Sequence, residues 1–411
     1  YAATTIGHKS DNLDRYLLGR QFMVIFIVFI INKSGTPLVD AEIWGLPSWA
    51  MEVLVTSGIA LILLTCMVGQ LHSQVTASHC MLDYINDAIN FLTMRVAMMI
   101  EASGIVHASY LIQMLVAKLS DRPIESQEEP RTGLRLVTFW ARCLMSLAIL
   151  IFSFVITIVA LFEGKTTMWK GLPNPVSVLI FLFLMCVVGM LEGMQIAFFA
   201  VAKLKEDERG DSMLAKKTCQ LLFAGKGHNL PGFMIGRQLM VVSCFFFIAR
   251  VTTMKIEEGK ENVLGVNDTI QSFFNLGFLG ALITTIVASI SWQLVAAAFP
   301  SAFLDSSITY LLLCAGLGLE RTGVCQGAWV LSSIHRQFRG FKHDEEYIGT
   351  AEERAARHMG DRQSSAVTGY MAALPGFAHN NSSTLRDLMK NDPTLKQFNE
   401  RSAGRMEEAR K

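Results

Sequence analysis

A handful of polar residues sit inside otherwise apolar stretches of this chain, and their types point to binding chemistry. Glu192-Gly193-Met194-Gln195 follows the uncharged segment from Gly171 to Leu191 and precedes the apolar run IAFFAVA. A charge in a bilayer core costs about 2.5–3.5 kcal/mol on insertion scales, so an ionisable residue there is a functional candidate. The three-residue spacing puts Glu192 and Gln195 on adjoining parts of one helix face, and Gly193 lets a neighbouring helix come close. Gly19-Arg20-Gln21 and Gly236-Arg237-Gln238 each carry an arginine a turn or two inside an apolar segment. An Arg to Glu bridge would hold two helices together while the glutamines face a cavity. Gln70 and Gln74 are four apart, hence on one helix face, and Gln293, with Ser289 and Ser291, stands as their counterpart later in the chain. A carboxamide supplies donors and an acceptor without charge, which suits a neutral polyhydroxyl solute that must bind and leave. The competing readings are an arginine that snorkels to headgroups and glutamines that only join helices. Glu101 and Glu320, each three before a glycine, are candidates for proton or sodium coupling, with Asp83 and Asp305 beside them. Alternatively the glutamates pair only with Arg95 or Arg321.

The elements that must position these groups follow from composition. The chain has 411 residues, 51% hydrophobic and 17% charged, with 36 Lys+Arg against 35 Asp+Glu and a mean hydropathy of +0.37. Globular domains carry about 25% charged residues. The shortfall is uneven, because 24 of the 71 charges lie from Arg336 onward. A net charge of +1 gives no footprint for nucleic acid, and the hydrophobicity excludes a disordered chain. Val53 to Leu82 and Thr269 to Leu304 contain no Asp, Glu, Lys or Arg over 30 and 36 residues. A bilayer core about 30 Å thick needs roughly 20 apolar residues per helix. No alternation with a period of two argues for a barrel. The sequence predicts an all-α polytopic membrane protein with eight spans, at about 17–32, 49–78, 84–118, 136–162, 174–203, 232–254, 270–300 and 306–334. A short surface helix is expected within SMLAKKTCQLLFAG.

Internal repetition organises these spans. Gly19-Arg20-Gln21 recurs as Gly236-Arg237-Gln238, Gly69-Gln70-Leu71 as Trp292-Gln293-Leu294, Leu82-Asp83 as Leu304-Asp305, and Glu101-x-x-Gly104 as Glu320-x-x-Gly323. The offsets are 217, 223, 222 and 219 residues. Two further spans precede the second Gly-Arg-Gln, so the first copy is expected to have lost two at a truncated N-terminus. The reading is a ten-span, 5+5 inverted repeat, because an odd number of spans enters the membrane from opposite sides. That architecture belongs to secondary transporters with a midplane site. Residues 1–118 form the first repeat, 119–135 the inter-repeat loop, 136–335 the second repeat, and 336–411 a polar, partly disordered or weakly helical tail. Lys and Arg counts on the two sides nearly balance, so the positive-inside rule does not orient the chain.

Eight scattered cysteines without a C-x-x-C pair read as packing residues. No metal site is read, since one Cys and one Asp in Cys80-Met-Leu-Asp83 supply two of the four ligands usual for structural zinc. No G-x-x-x-x-G-K-[ST], H-E-x-x-H or G-x-S-x-G sequence occurs, and no cofactor is expected.

At Glu192-Gly-Met-Gln195, the duplicated Gly-Arg-Gln and Cys80-Met-Leu-Asp83, the chain closely resembles the silicon (silicic acid) transporters of diatoms, over nearly all of residues 1–350. The resemblance implies ten spans, cytoplasmic termini and uptake of silicic acid, coupled to sodium in marine species. It also implies that Glu192, Gln195, Gly236, Arg237 and Gln238, with Gly19, Arg20 and Gln21, form the transport site. Silicic acid is a small tetrahedral hydroxide, largely undissociated near neutral pH, and the polar inventory above suits it.

The expectation is a secondary active transporter importing silicic acid by alternating access, with sodium as coupling ion. Substrate would meet Gln21, Gln70, Gln74, Glu192, Gln195, Gln238 and Gln293, while Gly19, Arg20, Gly193, Gly236 and Arg237 shape or gate the path. A passive channel for neutral hydroxylated solutes is the alternative, and a membrane-embedded enzyme a more distant one. The plasma membrane is the expected location, with an intracellular vesicle membrane as the other choice, and a homo-oligomer is compatible with the sequence.

Overall fold

The computed structural model describes residues 2–35, 45–121, 131–167, 171–204, 209, 212–224, 229–254 and 265–344. The tail beyond residue 344, with its expected weak helicity, and most of the inter-repeat loop lie outside the described residues. Eleven principal helices are α1 (Asn12–Ser34), α2 (Ile59–His79), α3 (Ala88–Ala102), α4 (Ala108–Ser120), α5 (Leu134–Phe162), α6 (Asn174–Ala202), α7 (Met213–Leu222), α8 (Asn229–Thr252), α9 (Asp268–Ala298), α10 (Ser307–Arg321) and α11 (Gly327–Arg339). Among the described residues the only β pairing is an isolated bridge between Thr166 and Met254. The protein is an all-α, multi-pass membrane protein.

Six of these helices, α1, α2, α5, α6, α8 and α9, are long and apolar enough to cross a membrane. Gly58 (φ +85°) interrupts the expected span 49–78 before α2 begins, and the sequence reading also differs at 84–118 and 306–334, where single spans are expected. Each is two helices, α3 with α4 and α10 with α11, and each break contains a glycine with left-handed backbone, Gly104 (φ +87°) and Gly323 (φ +74°). That conformation costs a side-chain-bearing residue but not glycine, so the helix ends there. Ser146 of α5 ties down the first break, accepting from the Ala108 amide at 2.9 Å and donating to the Ile105 carbonyl at 2.5 Å.

Helix starts follow ordinary capping chemistry. The side chain of Asp87 accepts from the Ile89 amide before α3, Ser212 from Ala215 before α7, and Asn267 from Ile270 before α9. The helix α7 is the surface helix expected within SMLAKKTCQLLFAG.

Elements recur with a constant spacing. From α3 to α10 and from α4 to α11, first and last residues all shift by 219 positions. Both α2 and α9 contain a π-helical stretch, Thr65–Leu71 and Thr284–Ile290, again 219 apart. Corresponding helices also pack alike. Gly19 of α1 lies against the Ala97 carbonyl of α3, and Gly236 of α8 against the Gly316 carbonyl of α10, so closely that a β-carbon at either glycine would overlap the oxygen. The register corrects the pairing read from sequence. Gln293 corresponds to Gln74, and Gln70 corresponds to Ser289; the Gln-Leu dipeptides at 70 and 293 match letters one helical turn out of phase.

Packing crosses between the copies. The helix α4 lies against α9, and α11, which begins and ends 219 positions after α4, lies against α2. The helices α8 and α9 are central, with 67% of their apolar windows buried, whereas α5 has 33%. Leu144, Ile151, Phe152 and Val155 of α5 are exposed, the outward apolar face a helix next to lipid carries.

The end of α11 is fastened to the first copy. Asp344 accepts from the Met81 and Leu82 amides at 2.8 Å each, and Asp83 accepts from the Lys342 amide at 2.8 Å. Arg339 pairs with Asp87, and His343 meets His79 edge to face at 5.9 Å.

Candidate functional site

Five helices bring their polar side chains to one buried network. On α8, Arg237 Nη1 stands 3.3 Å from Glu192 Oε1 of α6, and its Nη2 donates to Gln238 Oε1 at 3.0 Å. Glu192 Oε2 accepts from Gln293 Nε2 of α9 at 2.7 Å. Gln293 Nε2 also reaches Ser289 Oγ at 3.3 Å, and Ser289 accepts from Gln21 Nε2 of α1 at 2.7 Å. On the other side, Gln238 Nε2 donates to Gln70 Oε1 of α2, and Gln74 Nε2 lies 3.3 Å from Gln238 Oε1. The chain Gln21, Ser289, Gln293, Glu192, Arg237, Gln238, Gln70 thus joins both Gly-Arg-Gln segments.

Local sequence explains why these groups meet. Gly189 and Gly193 leave a shallow strip on α6, into which the Trp292 indole and the Phe303 ring fit, the two rings lying edge to face at 6.3 Å. A side chain at either glycine would collide with a ring, so the strip seats α9 with Gln293 beside Glu192. The Gly236 contact brings α8 onto α10 and fixes the height of Arg237. Arg237 and Glu192 are buried, with side chains 4% and 7% exposed. A charge so placed must be paired and hydrogen-bonded to be tolerated.

Two donors in the network remain uncommitted. Gln70 Nε2 and Arg237 Nε are buried and meet no acceptor among the described residues. Buried polar groups in folded proteins are nearly all satisfied, and an orphaned donor costs about 1–3 kcal/mol. Both residues adjoin Gln238, Gln70 accepting from its Nε2 and Arg237 donating to its Oε1, while the carboxylate of Glu192 lies on the far side of Arg237. Such donors, with the carboxamide and carboxylate oxygens of the network, are the kinds of group that hydrogen-bond a small uncharged solute carrying several hydroxyls.

The remaining sequence candidates fall elsewhere. Gln195 is half-buried on α6 and makes no hydrogen bond to this network, and Arg20 forms no ion pair among the described residues, unlike Arg237. Glu101 is buried and accepts from Tyr110 Oη at 2.9 Å, with His107 Nε2 at 3.8 Å. Its neighbours are thus not Arg95, whose guanidinium lies over Phe91. Glu320 is half-buried beside Gly232. Asp83 holds the Lys342 amide and Asp305 accepts from Ser212, so both aspartates serve helix ends. Among the described residues no three His, Cys, Asp or Glu converge as metal ligands. Ser289, named with Gln293 from sequence but not among the residues expected to meet substrate, is a member of the network. Its signal was its position four before Gln293, one turn away on the same face.

A family model described as silicon transporter matches residues 1–410. No curated protein matches the chain, and no solved structure does.

Proposed function

The chain belongs to the silicon transporter family, and on that premise we propose that it is a secondary active transporter that imports silicic acid by alternating access, driven by sodium. Silicic acid is the family's cargo, and a multi-pass membrane protein is the setting for it; coupling and mechanism are our reading. The observation that carries the reading is the pair of buried, uncommitted donors on Gln70 and Arg237 within a network of five carboxamides and one carboxylate. A neutral tetrahedral hydroxide needs donors and acceptors on several sides and no net countercharge. With Arg237 and Glu192 neutralising each other, the site keeps polarity without attracting ions.

The recurrence of elements 219 positions apart supports the 5+5 inverted-repeat reading, with silicic acid held where the copies face each other. The exchange of α4 and α11 argues that the bodies that move cut across the sequence halves. Glu101 and Glu320 occupy equivalent positions and are the coupling candidates we retain; the plasma membrane is the location that suits import.

The test is uptake of silicic acid into sealed proteoliposomes with and without an inward sodium gradient, for the wild type and Gln238→Ala. Sodium-dependent accumulation that the variant loses supports the proposal. Equilibration indifferent to sodium makes the protein a facilitator, and no uptake from a folded preparation overturns transport itself.

A further inference from the structure

Ser289 holds a position that its surroundings single out. It is fully buried, lies in the π-helical stretch Thr284–Ile290, and accepts amide protons from Gln21 and Gln293 at 2.7 and 3.3 Å. Its neighbours on α9 spend their hydroxyl protons on their own helix: Thr284 donates to Gly280, Thr285 to Ala281 and Ser291 to Ile286. No acceptor among the described residues takes the proton of Ser289. The wider winding of a π-helix shifts side chains relative to the carbonyls behind them and favours functional positions.

The repeat gives this serine a partner. Gln21 of the first copy reaches Ser289 of the second, and Gln238 of the second reaches Gln70 of the first. Gln21 and Gln238 end equivalent Gly-Arg-Gln segments, while Gln70 and Ser289 lie 219 positions apart in equivalent π-helical stretches. The two bonds are therefore counterparts, each crossing between copies. They differ in one respect: the first copy closes its side with a long carboxamide, the second with a short hydroxyl. On each side the acceptor still has a proton to give, Nε2 of Gln70 and Oγ of Ser289.

We propose that Ser289 is a substrate-contacting residue, donating its uncommitted hydroxyl proton to one oxygen of the bound hydroxide while Gln70 Nε2 donates to another. A serine is shorter than the carboxamide at the equivalent position, so the polar groups are lopsided within a symmetric frame. The proposal rests on the reading of this network as a silicic acid site.

The experiment measures initial rates of silicic acid uptake over a range of concentrations in proteoliposomes, for wild type, Ser289→Ala and Ser289→Thr. Folding is checked by size-exclusion profile and melting temperature. The expected result is a KM raised about five- to twentyfold in Ser289→Ala, one lost hydrogen bond to substrate, with the maximal rate within about twofold and KM restored in Ser289→Thr. A KM unchanged in Ser289→Ala overturns the proposal, and so does an equal loss in both folded variants. A maximal rate lowered at constant KM also overturns it, because the serine would then act on the conformational step. Absence of uptake by the wild type would instead overturn the transport reading beneath it.

Discussion

Arg237 and Glu192 face each other across α8 and α6 at 3.3 Å, both buried, and each also bonds a glutamine of the same network. The pair is thus the joint between the two glutamine arms of the site. Removing one member strands the other's charge, whereas removing both strands neither. Arg237→Gln or Glu192→Gln alone should lower stability by about 3–5 kcal/mol, and the double variant should recover a large part of that. Thermal unfolding in detergent across the four proteins of this double-mutant cycle measures it. Strict additivity would show that the two side chains do not interact.

Gly19 and Gly236 should each be intolerant of alanine. A β-carbon there meets the carbonyl oxygen of Ala97 or Gly316, which belongs to a neighbouring helix backbone and cannot swing aside. Overpacking costs about 1–3 kcal/mol in ordinary cores, and a backbone clash belongs at or above the upper end. Gly318, whose β-carbon would meet nothing within 4 Å, is the control on the same α10 as Gly316. Yield of monodisperse protein should fall for Gly19→Ala and Gly236→Ala and stay level for Gly318→Ala.

Gly189→Ala should act on the site at a distance. Its added methyl displaces the Trp292 indole, and Gln293 next in sequence carries the bond to Glu192. We expect a shifted tryptophan emission together with uptake reduced about tenfold. An unchanged uptake with shifted emission would show that the indole can move without taking Gln293 along.

Asp344 gives the fastening of α11 a pH dependence. Burial holds its carboxyl above the ordinary value of 3.8, against the opposing pull of the Leu82 and Met81 amides. With the folded value above the unfolded one, the folded state binds the extra proton. Stability from this group is therefore full below about 3.8 and is lost as pH rises through the raised value. Asp344→Asn should flatten that decline in a plot of melting temperature against pH. A wild-type curve parallel to that of the variant over the acid range would remove Asp344 as the cause.

Much of the fold can be read from hydropathy because lipid rewards long uncharged runs, and α1, α5, α6, α8 and α9 lie near the expected segments. The breaks at Gly104 and Gly323 were not visible that way, since a left-handed glycine in an apolar run changes no average. The Arg237 to Glu192 pair was legible because a buried charge needs an opposite one. The register of Gln70 was not. Matching dipeptides reward identical letters, whereas the helices are aligned by backbone geometry, which couples Gln74 to Gln293 and leaves a serine opposite Gln70. Ser289 itself is one of several hydroxyls in a long uncharged segment, and its bond to Gln21 depends on α1, far away in sequence, arriving beside it. Nor does any local pattern announce that α4 and α11 change partners.

That exchange also bears on how the chain is made. The polar face of α2 around Thr76 packs against α11, which leaves the ribosome about 250 residues later, a delay on the order of 10–50 s at about 5–20 residues per second. Gln70 and Gln74 lack Gln238 until α8 is made, and Thr76 lacks Ser332 until α11 follows. The first helices therefore hold polar groups that have not yet met their final partners. Substitutions on α11, far from any cargo, should then surface first as shortened cellular lifetime rather than as slow transport.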